Sequence, residues 1–195
     1  MTGWNDYRDY WDAHWRRIGE QYFVTDMDQP TYDAYNLDIF SHYQKRKVKT
    51  IFDLGCGTGL LVPVVRQLWP DAKYTGLDIC KDAIEAARAK YPDETWIVMD
   101  GPKLPGKADL IIVHSVFTHI GLPDTELYLD VIRAALNPGG RASLSIHIET
   151  DRDYSGSIGR MDHQPAFFES LLHKHGFAVL CHVDKRQRCY EVEPC

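Results

Sequence analysis

The stretch Ile51–Leu61, "IFDLGCGTGLL", places an apolar run ending in Asp53 ahead of three glycines at alternate positions, Gly55, Gly57 and Gly59. A short apolar run, a glycine turn and then the aliphatic "LLVPVVRQLW" read as a buried strand entering a helix. Glycine has no Cβ, so such a turn lets the backbone approach a ligand closely. A dinucleotide-binding turn carries its third glycine three positions after the second. Here position 60 is Leu60 and the glycine is Gly59, which turns the reading away from a nicotinamide oxidoreductase.

Outward from this turn, short apolar runs alternate with helical patterns. Strand "KTIFDL" and helix "LLVPVVRQLW" are followed by strand "KYTGLD", helix "KDAIEAARAKY" and the strands "TWIVMD" and "ADLIIVH". Helix "TELYLDVIRAAL", strand "RASLSIHI", helix "AFFESLLHKH" and the strands "FAVLCHV" and "CYEVEP" complete the series. That alternation predicts a parallel α/β sheet covered on both faces. Only "GPKLPGK" lies between Asp100 and Ala108, too short for a crossover helix, so a loop is expected there. Upstream, Trp4, Tyr7, Trp11, Trp15 and Ile18 keep helical spacing, and a second helix is expected from Pro30 with Tyr32, Tyr35, Ile39 and Tyr43 on one face.

The 195 residues, 44% of them hydrophobic, are enough for one domain of ordinary size. The longest apolar stretch, "LIIVHSVF", is too short to span a bilayer, and no signal-peptide core precedes the helices, so a cytoplasmic, membrane-free protein is expected. Five scattered cysteines (Cys56, Cys80, Cys181, Cys189 and Cys195) form no CxxC pair and point to reduced thiols without a disulfide framework or zinc site. A net charge of −6 disfavours nucleic acid as partner. The basic clusters "KRK" and "KRQR" read as solvated element ends.

Five segments in order and spacing, "DLGCGTG", "GLDI", "MDG", "ADLIIVHSVFTHI" and "LNPGGRASLSI", resemble the motifs of class I S-adenosylmethionine-dependent methyltransferases, most closely the small stand-alone enzymes that act on small molecules. The resemblance covers about residues 48–192. It implies a doubly wound, Rossmann-like, mostly parallel seven-stranded sheet with N-terminal helices and an antiparallel last strand. The chain would be a single domain, with a helical cap over 1–46 and the core over 47–195.

The resemblance also implies S-adenosylmethionine as cofactor. Asp53 would face its ammonium, and Gly55, Cys56, Gly57 and Gly59 would pack on the methionine portion. Asp78, 23 positions after Gly55, would accept both ribose hydroxyls. Ile79 would lie on the adenine face, Asp100 would accept from the adenine amino group beside Gly101, and His114 would touch cofactor through its backbone.

Methyl transfer is an in-line displacement, so positioning supplies most of the catalysis and a base is needed only for a protonated nucleophile. His114, His119, His147 and His163 fall at or beyond strand ends, and His119 stands where related small-molecule enzymes often carry a substrate-facing histidine. It is the candidate base or hydrogen-bond donor. The polar segment "ETDRDYSGSIGRMDH" is long enough for a lid. With Tyr22 it would shape the acceptor pocket, Arg152 and Arg160 suiting an anion and His147 and His163 lining it. No Asn-Pro-Pro-aromatic sequence follows "ADLIIV", and no acidic pair follows it to hold magnesium. The expectation is metal-independent methylation of a small molecule, on oxygen foremost, by a monomer or homodimer. N- or C-methylation, a peptide or protein acceptor, a nonenzymatic S-adenosylmethionine-binding protein and a nicotinamide oxidoreductase are the alternatives.

Overall fold

A computed structural model of the chain describes residues 4–18, 28–41, 47–148 and 162–195, which form two compact units, Trp4–Gly101 and Pro102–Cys195. The first begins with helices α1 (Trp4–Ile18) and α2 (Gln29–Ser41). In α1, Tyr7 and His14 are buried, two turns apart and therefore on one face. Asp28 starts α2 by accepting from the Thr31 backbone N–H at 2.9 Å, an N-cap contact that satisfies one donor of the first turn. The buried side of α2 is Asn36, Ile39 and Phe40, the last edge-on to Trp69 with ring centroids 5.9 Å apart.

Strands β1 (Thr50–Leu54), β2 (Lys73–Asp78) and β3 (Thr95–Val98) of this unit are parallel in the order β3-β2-β1, with Asp53 opposite Gly76 and Asp78 opposite Val98. Ile51, Phe52, Asp53 and Leu54 are all buried, which requires both faces of β1 to be covered and explains its unbroken apolar run. Helix α3 (Val62–Leu68) opens with Pro63, where a missing N–H costs no intrahelical bond. Helix α4 (Lys81–Lys90) buries Ala83, Ile84 and Ala87 and sets Asp82 in its first turn and Arg88 and Lys90 in its last, each complementing the helix dipole.

Trp96 of β3 fills the space left by two glycines. A Cβ on Gly59 would lie 2.5 Å from its Cη2, and one on Gly76 would lie 2.5 Å from its Cε3 and 2.9 Å from Cys56 Sγ. The indole is fixed by an Nε1–H bond to the Tyr91 carbonyl at 2.9 Å. The third glycine of the opening turn is therefore required by a protein side chain.

The second unit contains β4 (Ala108–Val113), α5 (Leu122–Ala135), β5 (Leu136–Ile148), β6 (Asp162–His163), α6 (Pro165–Lys174), β7 (Phe177–Asp184) and β8 (Arg188–Pro194). Its strand order is β4-β5-β8-β7. β4 and β5 are parallel, and β8 runs antiparallel to both β5 and β7. No helix separates β3 from β4, as the short "GPKLPGK" segment requires. The two-residue β6 is an eighth strand that strand patterning did not anticipate, and it pairs with β5 alone, His147 opposite Asp162 and Ile148 opposite His163. β5 also starts earlier than "RASLSIHI", because Leu136 pairs with Ala108 before an irregularity shifts the register. Phe117, Phe168, Phe177 and Tyr190 are fully buried in this unit.

Candidate active site

In the first unit the turn after β1 is folded back on β2. The N–H groups of Gly55 and Cys56 donate to the Leu77 carbonyl at 2.7 and 3.1 Å, and the Gly57 N–H donates to Asp78 Oδ2 at 2.8 Å. The other Asp78 oxygen accepts from the Cys80 N–H at 2.8 Å. Gly55 and Gly57 have φ of 77° and 53°, values an L side chain rarely adopts, so both glycines are needed for this geometry. Asp78 is 7% exposed; burial raises its carboxyl above the usual range, while the Cys80 and Gly57 N–H bonds pull it back.

Asp53, 2% exposed, accepts from the Tyr74 hydroxyl at 2.6 Å. Burial raises its pKa to about 7; the Tyr74 bond opposes the shift and the negative charge of Asp78 adds to it. Among the described residues no lysine or arginine pairs with either carboxylate, and the hydroxyl of Thr58, the residue after Gly57, is buried without a hydrogen-bond partner. Buried carboxylates without a cation, and a buried hydroxyl without a partner, are costly unless a ligand completes them. An ammonium and a diol supply the missing donors, so this residue set fits S-adenosylmethionine.

Beyond β3, Arg8 Nη2 of α1 donates to the Met99 carbonyl at 3.1 Å and to Asp100 Oδ1 at 2.8 Å. The Asp100 side chain is 92% exposed, and the space where a Gly101 Cβ would stand is open. Ile79 is half-buried. The structure thus gathers Asp53, the glycine turn, Asp78, Ile79, Asp100 and Gly101 at the carboxyl ends of three adjacent strands of this unit, where ligands bind in doubly wound sheets. Arg8 and Tyr74 join them without any motif to announce them.

The second unit holds the histidines. His114 Nε2 lies 2.8 Å from Ser143 Oγ, and burial lowers its pKa to about 4, so the ring is neutral near pH 7. His119 is half-buried at the end of a tight turn, its N–H bonded to the Val116 carbonyl at 2.9 Å. His147 stands half-buried near the end of β5. His163 is 6% exposed; its Nε2 lies 2.9 Å from the Phe117 carbonyl and its ring 5.6 Å from that of Phe168, so it ties β6 to the segment that precedes His119. Tyr22, Arg152 and Arg160 lie outside the described residues. Sequence reasoning passed over Ser115, Ser145 and Gln187, which bond to one another here. Gln187 lies inside "KRQR", and no local pattern marks it.

Parallel strands feeding glycine and acidic turns at their carboxyl ends, with β8 inserted antiparallel, define the Rossmann-like methyltransferase fold. The solved magnesium protoporphyrin IX methyltransferase of Synechocystis PCC 6803, with bound S-adenosylhomocysteine, shares it with a TM-score of 0.76 at 20% identity, over 98% of this chain and 99% of that one. Residues 52–142 match the family described as methyltransferase domain. A trans-aconitate 2-methyltransferase of Afipia carboxidovorans is 24% identical over 138 residues, 70% of this chain and 53% of that protein. A malonyl-[acyl-carrier protein] O-methyltransferase of Acetivibrio thermocellus is 30% identical over 103 residues, 44% of this chain and 36% of that protein. The chain spans about half the length, or less, of these curated relatives. The fold is thus that of the Rossmann-like methyltransferases, and the matched family and the curated relatives are methyltransferases.

Proposed function

We propose that this protein transfers a methyl group from S-adenosylmethionine to a carboxylate oxygen of a small anionic acceptor, without a metal. The observation that carries the cofactor half is the pair of buried, cation-free carboxylates, Asp53 and Asp78, on the glycine turn. The acceptor class is drawn from the relatives named for trans-aconitate and malonyl-[acyl-carrier protein], both of which offer a carboxylate. When bound, the cofactor supplies an electrophilic methyl on a sulfonium.

Asp53 binds and orients the ammonium end, and Asp78 the ribose, with its geometry fixed by the Gly57 and Cys80 N–H groups. Asp100 accepts from the adenine, and Arg8 steadies its carboxylate. A carboxylate acceptor is already ionised near pH 7, so no proton must be removed during attack. His119 then acts by positioning the acceptor, as a donor when protonated or through its ring N–H. His119, His147 and His163 belong to the acceptor side of this reading; the expected lid over 149–161 lies outside the described residues.

Calorimetry with S-adenosylhomocysteine, with NADH as control, tests the cofactor half; binding of NADH alone would overturn it. The acceptor half is tested by incubating the protein with S-adenosylmethionine and a panel of di- and tricarboxylates, trans-aconitate included, against phenols and amines. Methyl esters are the expected products. Methylation confined to phenols or amines would replace the carboxylate reading.

A further inference from the structure

Ser115, the residue after His114, is the single non-glycine residue with positive φ among the described residues, at 59°. A serine in the left-handed region costs conformational energy and persists where its surroundings hold it there. Here three bonds do so. The Ser115 N–H donates to Ser145 Oγ at 2.8 Å, the Gln187 amide donates through Nε2 to Ser115 Oγ at 2.8 Å, and the Thr118 hydroxyl donates to the Ser115 carbonyl at 2.7 Å. The ring closes through Ser145, whose hydroxyl donates to Gln187 Oε1 at 2.5 Å.

The direction of these bonds matters more than their number. A backbone N–H can only donate, so Ser145 Oγ accepts from Ser115 and passes its own proton to the Gln187 carbonyl oxygen. The amide nitrogen of Gln187 then faces Ser115 Oγ and donates to it. A serine hydroxyl has one proton and two lone pairs. With its oxygen accepting from Gln187, the Ser115 proton has no acceptor among the described residues, and the side chain is exposed. It stands at the carboxyl end of β4, where ligands of doubly wound sheets bind, one residue from His114 and four from His119.

We propose that Ser115 is an acceptor-binding residue that donates its hydroxyl proton to an anionic oxygen of the acceptor, and that Gln187 is the positioning residue that aims it. This rests on the carboxylate reading of the acceptor. Ser143, Ser145 and His147 follow one another on the same face of β5, so the donor sits at the end of a polar row of hydroxyls and imidazoles. The β7–β8 turn, 72 residues downstream in the sequence, thereby sets specificity on the β4 loop.

The variant that separates aiming from scaffolding is Gln187→Glu. A glutamate still accepts from Ser145, but its second oxygen has no proton to give and takes the Ser115 proton for itself, so the fold keeps its ring while the outward donor is lost. Binding of trans-aconitate and malonate to the S-adenosylhomocysteine-loaded protein is measured by calorimetry, with Tm and S-adenosylhomocysteine affinity as controls. For Gln187→Glu and Ser115→Ala we expect at least tenfold weaker dicarboxylate binding, with S-adenosylhomocysteine affinity within twofold of wild type. The double variant should be no worse than Ser115→Ala alone, and Gln187→Glu should keep a Tm near wild type. Wild-type dicarboxylate binding in both single variants would overturn the assignment and leave the carboxylate reading intact. Absence of dicarboxylate binding in the loaded wild-type protein would overturn that reading and the assignment with it.

Discussion

The Tyr74 hydroxyl lies 2.6 Å from Asp53 Oδ2, and this bond joins the start of β2 to a carboxylate that is 2% exposed near the end of β1. It favours the ionised form of a group that burial drives toward protonation, leaving Asp53 with a pKa of about 7. Asp53 is thus poised to change charge where an ammonium would bind.

Two opposite pH dependences follow from that position. The folded value lies above the ordinary 3.8, so between these values the folded chain holds a proton that the unfolded chain has lost. Stability of the ligand-free protein from this group is greatest below about pH 4 and is lost as pH rises to about 7. Cofactor affinity should move the other way, because only the carboxylate pairs with an ammonium. Titration calorimetry with S-adenosylhomocysteine from about pH 5.5 to 8 should show affinity rising by up to tenfold per unit and levelling above about 7, with proton release at the acid end. A flat profile would remove Asp53 from the ammonium site.

Asp78→Asn tests the second carboxylate. The amide keeps one acceptor oxygen and replaces the other with a donor, so it cannot serve both the Gly57 and the Cys80 N–H groups. Charge-assisted bonds of about 1.5–3 kcal/mol each are at stake, and S-adenosylhomocysteine affinity should fall at least tenfold. Because the same oxygens fix the turn, Tm should fall as well, and a variant with unchanged affinity would show that the ribose is held elsewhere.

Gly76→Ala places a methyl group against Trp96 and Cys56. Overpacking of this kind costs about 1–3 kcal/mol, enough to lower Tm by several degrees in a chain of this length. Trimming the indole in Gly76→Ala/Trp96→Leu should recover part of the loss relative to Trp96→Leu alone. If the two changes are simply additive in thermal denaturation, the contact is not the reason for the glycine.

His119→Ala separates positioning from proton transfer. With a carboxylate acceptor, the variant should raise the acceptor KM while S-adenosylhomocysteine affinity stays within twofold of wild type. A loss of about a hundredfold or more in kcat at saturating acceptor, with a pH profile rising through about 6.5 that the variant lacks, would instead assign the ring as a base for a protonated nucleophile.

Much of the scaffold was legible because periodicity and punctuation agreed. "KYTGLD" coincides with β2, and "KDAIEAARAKY" with α4 to within one residue, since Pro70 and Asp71 mark the turn before β2 and Pro92 and Asp93 the turn after α4. β6 escaped because two residues carry no period, and the early start of β5 because "LNPGG" reads as a turn until Ala108 supplies its partner. The acids of the candidate site, Asp53 and Asp78, announce themselves by standing at strand ends after apolar runs. Ser115 and Gln187 do not: their relation depends on a backbone torsion and on a partner 72 residues away, and neither is written in local composition.

Trp96 changes what the glycine motif reports about ancestry. Gly59 and Gly76 are held by an indole of the same chain, so a descendant that no longer bound a ligand at the turn, but kept its tryptophan, would keep these two glycines unaltered. Gly55 and Gly57 answer instead to the left-handed backbone of the turn that Asp78 holds at the Gly57 N–H, and their decay would record the loss of that turn. Within one seven-residue signature, two inheritances are interleaved: one guards side-chain packing, the other the path of the backbone.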